Sequence, residues 1–138
     1  MKDVFCRIIA GEIPCTKVYE DDDVLAILDI SQVTKGHTLV MPKAHYEHML
    51  SCPADLLGKV MAVARRIGQA EVEVLGAQGV NILTNVGEAA GQSVPHFHVH
   101  VIPRYATSEG GFLLEMKQQD TSGYDLPRLA HDISKAID

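Results

Sequence analysis

From His96 to Ile102 the chain reads His-Phe-His-Val-His-Val-Ile, a strict alternation of imidazole and apolar side chains over its first six positions. Successive side chains on a strand point to opposite faces, so the run buries its apolar residues together only as a strand with one packed side. A helix would scatter Phe97, Val99 and Val101 around its axis. As a strand, the run sends those three into a core and sets His96, His98 and His100 along a surface groove. Neighbouring imidazoles then stand roughly 7 Å apart, two strand rises. Any fold for this chain must give that strand a packed face and an open one.

The remaining elements follow from periodicity and chain breakers. Phe5–Ala10 is a short helix stopped by Gly11 and Pro14, with Phe5, Ile8 and Ile9 on its apolar side. Lys17–Glu20 and Val24–Leu28 flank the acidic turn Asp21-Asp22-Asp23 and form a hairpin. A third strand, His37–Met41, starts after Gly36 and ends at Pro42. From Ala54 to Leu75 apolar residues recur at helical spacing, notably Leu57, Val60, Met61, Ala64, Ile67 and Gly68, and the run closes at Gly76. Ser51 is its expected N-cap, with Pro53 and Asp55 in the first turn. Val80–Asn85 and Phe97–Ile102 are strands around a loop holding Gly87, Gly91 and Pro95, and a C-terminal helix runs from about Leu126 to Ile137. Five strands with hairpin-like links and few helices predict an α+β domain with a mostly antiparallel sheet, one long helix and short terminal helices. A chain of 138 residues without repeat, low-complexity tract or linker is expected to be one domain, residues 1–138.

Composition narrows the partners. A formal charge of −6 works against broad attachment to nucleic acid or anionic lipid, so a phosphate must be met locally. No apolar stretch is long enough to span a membrane, and the start Met1-Lys2-Asp3-Val4-Phe5 does not resemble a secretory leader. Cys6, Cys15 and Cys52 are odd in number and irregularly spaced, which suits reduced thiols and a cytoplasmic location.

Imidazole titrates near neutrality, so within the row one ring can be an unprotonated nucleophile while a neighbour holds a proton for the leaving group. Cleavage of a phosphoramidate or phosphoanhydride needs that pairing. Upstream, residues 85–93 (Asn-Val-Gly-Glu-Ala-Ala-Gly-Gln-Ser) supply glycines, amides and a hydroxyl in a loop whose backbone N–H groups can cradle phosphate oxygens.

The run Gly91-Gln92-Ser93-Val94-Pro95-His96-Phe97-His98-Val99-His100-Val101-Ile102 resembles the signature of the histidine-triad (HIT) family of nucleotide hydrolases and transferases. The likeness extends over about residues 4–104, through Phe5–Pro14, Leu28-Asp29-Ile30-Ser31, Gly36-His37 and Met41-Pro42-Lys43-Ala44-His45. It points to the HIT-like fold and to the bacterial HINT-like branch of nucleoside phosphoramidate hydrolases. The resemblance implies that His98 is the nucleophile that takes the nucleotidyl group, with water then hydrolysing the covalent intermediate. It implies that His96 and His100 orient His98 and contact phosphate, that His37 is a fourth active-site histidine, and that Ser93 helps protonate a departing amine. Asn85, Gly91, Gln92 and Ser93 would contact phosphate or leaving group, Asp29 would hold the ribose hydroxyls, and Phe5, Ile8, Ile27 and Ile30 would wall the base with Val4 at the edge. A purine conjugate of AMP or GMP is the implied substrate and a homodimer the implied assembly, with no cofactor.

Other readings remain open at this point. Three alternating histidines can also hold zinc or copper, giving a metal-dependent hydrolase, and a nucleotide-binding regulatory or scaffold protein with little turnover would use the same pocket. Some bacterial relatives carry Cys-x-x-Cys near the N-terminus, the mark of a structural zinc. Here Asp3 stands where the first Cys would be, and Cys6 with His45 makes too few ligands, so no metal is expected. Lys43 and His45 read as a solvated loop, and His48 and His131 as surface. The chain lacks Trp, whereas eukaryotic-type relatives often end in a Trp-containing tail beside the leaving group, whose identity stays open.

Overall fold

The computed structural model describes residues 2–106 and 118–137. In chain order the elements are α1 (Val4–Ile9), β1 (Lys17–Glu20), β2 (Val24–Leu28), β3 (Thr38–Pro42), α2 (Ala54–Leu75), β4 (Gly79–Leu83), β5 (Val99–Arg104) and α3 (Leu126–Ile137), with short 3-10 turns at Met49–Ser51 and Glu88–Ala90. The strands form one antiparallel sheet ordered β1-β2-β3-β5-β4, in accord with the expected α+β architecture.

The β1–β2 hairpin is set by Asp21, whose carboxylate accepts the backbone N–H groups of Asp23 and Val24 at 2.8 Å each. That side-chain bond imitates a backbone turn and fixes the register. The two faces of the sheet then divide the core. Val24, Ala26, Val40, Val99 and Val101 point toward α2 and pack with Val60, Val63, Ala64, Ile67 and Phe97. Leu25, Ile27, Leu39 and Met41 point the other way and pack with Phe5 of α1. β2 and β3 are buried on both faces, which is why they read as continuous apolar runs rather than alternating ones.

Several details differ from expectation for local reasons. Helix α2 is capped by Pro53 and not by Ser51, whose hydroxyl donates to the His48 carbonyl at 3.0 Å and closes the preceding 3-10 turn. Met61 faces solvent and Val63 takes its place in the buried stripe. Strand β5 begins at Val99, two residues late, because the ladder fails beside Pro42. There the Phe97 N–H donates to the Tyr46 carbonyl at 2.7 Å and the Thr84 hydroxyl donates to the His98 carbonyl at 2.7 Å.

Glu71 of α2 is buried against Thr38, with Oε1 lacking a hydrogen-bond partner and Oε2 3.5 Å from the Thr38 hydroxyl. Burial raises its pKa from 4.5 to about 7, so the folded state keeps a proton that the unfolded chain releases near its ordinary value. Stability must therefore fall as pH rises from about 4.5 to about 7, and stay lower above that. Glu71→Gln removes the ionisation, and we expect it to stabilise the protein by roughly 1–3 kcal/mol at pH 8 with a smaller difference at pH 5. Denaturant melts at the two pH values check this; equal differences at both would rule it out.

Candidate active site

Helix α1 lies over the sheet face that the histidines share. Asp3 caps it by accepting the Cys6 N–H at 2.8 Å, and Phe5 inserts edge-on beside His98 and His96, with ring centroids 5.0 and 6.0 Å away. Between α1, the loop around residues 13–16, the end of β2 and the histidine strand lies a cleft of about 600 Å³, large enough for a nucleotide-sized ligand. Its lining includes Val4, Phe5, Ile8, Ile27, Asp29, Ile30, Ser93, His98 and His100. Apolar walls together with Asp29, Ser93 and two imidazoles give it an amphipathic character. Ile30 is fully exposed and serves as a rim rather than a wall.

Hydrogen-bond partners assign the ring protons. His98 Nδ1 lies 2.7 Å from the His96 carbonyl oxygen, which can only accept, so Nδ1 carries the proton and Nε2 keeps its lone pair in the neutral ring. His37 Nδ1 accepts the Val33 N–H at 3.2 Å, so its proton sits on Nε2, which donates to His100 Nδ1 at 3.0 Å. His100 is left with its proton on Nε2. The His98 and His100 rings lie 5.1 Å apart, closer than the strand spacing because the side chains converge. Burial lowers the pKa of all three rings, and the neighbouring imidazoles help push His100 down to about 4. The rings are thus neutral at pH 7, and the 3.7 Å approach of Asp29 to His37 is not an ion pair there. A lone pair on one ring beside an N–H on the next is a nucleophile next to an electrophilic donor.

Not every expected residue reaches the cleft. His96 is fully buried; its ring contacts Phe5, His45 and Cys6 and donates from Nε2 to the Pro42 carbonyl at 2.9 Å, so it does not line the cleft, and its backbone carbonyl accepts from His98 Nδ1. His37 stands behind His100 as its support. Gln92 is committed to the loop: Oε1 accepts the Gly87 N–H at 2.8 Å, and Nε2 donates to the Glu47 and Val94 carbonyls at 2.7 and 2.9 Å. Asn85 bonds the Gly91 carbonyl at 3.5 Å, and Gly91 takes φ +94° to end the 3-10 turn. These three shape the loop that presents Ser93. The expected groove therefore holds His98 and His100, with one face of the row but only part of its chemistry exposed to it.

Two side-chain clusters have metal-ligand character among the described residues: Asp29, His37 and His100, and Asp3, Cys6, His45 and His96. In the first, the nitrogens of His37 and His100 that face each other share a proton, and His37 Nδ1 is taken by Val33. The second was not legible as four residues. His45 reads as loop, yet its Nδ1 lies 3.0 Å from Asp3 Oδ2 and 3.5 Å from Cys6 Sγ. Asp3, Cys6 and His45 are visible as candidates in the sequence, and His96 joins them only in the fold.

The HIT domain pattern matches residues 10–107. The chain is 45% identical over 135 residues to Protein hit of Bacillus subtilis (strain 168), covering 97% of this chain and 93% of that one. It is 44% identical over 101 residues to adenylylsulfatase HINT3 of Arabidopsis thaliana, covering 73% of this chain and 51% of the relative. The crystal structure of SMU.412c from Streptococcus mutans UA159 superposes with a TM-score of 0.89 at 46% identity, covering 98% of this chain and 85% of that one. The family pattern over most of the chain and the likeness to these relatives show that the chain belongs to the HIT family.

Proposed function

We propose that the protein, as one domain over residues 1–138, hydrolyses a purine nucleoside phosphoramidate or related nucleotide conjugate at its α-phosphate through a nucleotidyl-histidine intermediate on His98. The observation that carries this is the proton arrangement at the cleft: His98 Nε2 has a lone pair, and His100 Nε2 has a hydrogen, as their partners require. His98 attacks phosphorus and the P–N bond to the leaving amine breaks, with the Ser93 hydroxyl as the nearby relay for the proton that amine needs. The His100 N–H steadies a phosphoryl oxygen as negative charge grows. Water then attacks phosphorus and releases a proton to solvent, which balances the one the amine took up, and His98 departs with its lone pair restored. Asp29, its Oδ1 held by the Ser31 N–H at 2.8 Å, faces the cleft as the acceptor for ribose hydroxyls, and Phe5, Ile8, Ile27 and Ile30 flank the base. The relative named adenylylsulfatase supports cleavage next to a nucleotide phosphate. Asn85, Gly91 and Gln92 act through loop geometry, and His37 and His96 through the rings they position.

A homodimer fits the free edge of the sheet. The outer edge of β4 exposes Ile82, α2 exposes Val72, and β4 has an unpaired side at the end of the sheet among the described residues. The free thiols Cys6, Cys15 and Cys52 fit a cytoplasmic setting, and no helix among the described residues is long and apolar enough to cross a membrane. Native mass spectrometry of protein quenched during turnover of an adenosine 5′-phosphoramidate tests both readings. We expect twice the chain mass and a nucleotidyl adduct mapping to His98. An adduct on another residue, or none during rapid turnover, would overturn the mechanism; a chain-sized mass at micromolar concentration would remove the dimer.

A further inference from the structure

We propose that Gln32 is a positioning residue whose side-chain amide closes the neck of the loop between β2 and β3, fixing together the Asp29 carboxylate and the proton arrangement of His37 and His100. Its effect on turnover rests on the hydrolytic reading given above; its effect on the rings rests on hydrogen bonds alone.

Residues 29–37 join β2 to β3, and the loop carries a cleft carboxylate at one end and the support of His100 at the other. The two ends face each other. The Asp29 N–H donates to the His37 carbonyl at 3.0 Å, just beyond the Leu28 and Thr38 pair that ends the ladder. Gln32 adds three bonds across this neck. Its Nε2 donates to the Asp29 carbonyl at 2.5 Å and to the His37 carbonyl at 2.7 Å, and its Oε1 accepts the Gly36 N–H at 2.8 Å. Both amide hydrogens are thus spent, one on each end of the loop. Gln32 is exposed to solvent, so these bonds and not core packing define what it does.

The step from clamp to chemistry is short. Gln32 precedes Val33, whose N–H donates to His37 Nδ1 at 3.2 Å. That bond places the His37 proton on Nε2, which donates to His100 Nδ1 at 3.0 Å and leaves the His100 N–H on Nε2. The far side of the loop is tied to the end of the histidine strand: the Thr34 hydroxyl donates to the Pro103 carbonyl and the Tyr105 hydroxyl to the Lys35 carbonyl, each at 2.6 Å. Val33 lies between these anchors and the clamp. With the clamp removed, the Val33 N–H loses its aim and His37 is free to carry its proton on Nδ1. Its Nε2 then turns a lone pair to His100, which must move its own proton to Nδ1 and has no N–H left for a phosphoryl oxygen. The same opening shifts Asp29, whose Oδ1 is held by the Ser31 N–H within the loop.

Two substitutions of similar length test this. Gln32→Met removes all three bonds, and Gln32→Glu at pH 8 keeps the acceptor for Gly36 while losing both donations. Long-range proton–nitrogen spectra of histidine-labelled protein without substrate read the tautomers directly. The wild type is expected to show His37 and His100 as Nε2–H rings, and both variants to show an added Nδ1–H population of each. We expect kcat for adenosine 5′-phosphoramidate to fall at least about tenfold in both variants, and the preference over the 2′-deoxy substrate to fall at least about threefold. Wild-type tautomers and kcat in Gln32→Met would overturn the proposal. A lower kcat with both tautomers unchanged would overturn it equally, since Gln32 would then serve the loop's stability alone. Tautomers that shift in both variants, with no nucleotidyl adduct on His98 in the wild type during turnover, would uphold the clamp and remove the hydrolytic reading.

Discussion

His98→Ala is expected to lower kcat/KM for an adenosine 5′-phosphoramidate by at least about three orders of magnitude, several kcal/mol of transition-state stabilisation. The change removes the only ring whose lone pair is assigned to the cleft side, while His100 keeps its proton through the His37 relay and cannot replace it. Phe5, Asp29 and Ser93 remain, so binding of a nucleoside monophosphate should persist, and that control separates lost chemistry from lost folding. The wild type carries a pH signature as well. Burial lowers the His98 pKa from 6.5, so activity should hold between pH 8 and 6.5 and fall only at more acid pH, as the nucleophile takes up a proton. A His98→Ala variant with near wild-type turnover, or a wild-type rate already halved at pH 7 by protonation, would defeat this account.

Phe97→Ala is expected to cost about 3–5 kcal/mol of stability, a large share of what a domain of this size possesses. Phe97 is buried among Val24, Val40, Val60, Val63 and Val99 on the α2 face, between the two histidines that turn the other way. Emptying that position removes the apolar anchor that decides which face His96 and His98 take. Denaturant unfolding measures the loss, and Phe97→Leu, closer in volume, should cost much less. A loss under about 1 kcal/mol for the alanine variant would mean that the alternation is not what seats the strand.

Much of this was legible because short-range rules govern it. The long helix ends where Gly76 adopts φ +74°, the β1–β2 turn follows from Asp21, and the C-terminal helix has its expected span. The histidine face was legible from alternation alone. The roles within it were not: His96, His98 and His100 are equivalent by pattern, yet one is buried against Cys6 and Pro42, one lines the cleft, and one leans on His37. Gln92 reads as a phosphate contact, and its amide is instead spent on three backbone groups of its own loop and the loop at Glu47.

The sequence by itself determined the elements and which side chains share a face, since helical and strand periodicities depend only on local backbone geometry. Tertiary structure decided which ring nitrogens of His96 and His100 hold a proton and which three side chains gather around Asp3. Those depend on pairs 39 to 90 residues apart, Cys6 with His45 and His96, His96 with Pro42 and His100 with His37, whose approach no local pattern encodes, whereas the His98 proton is set by the His96 carbonyl two residues away.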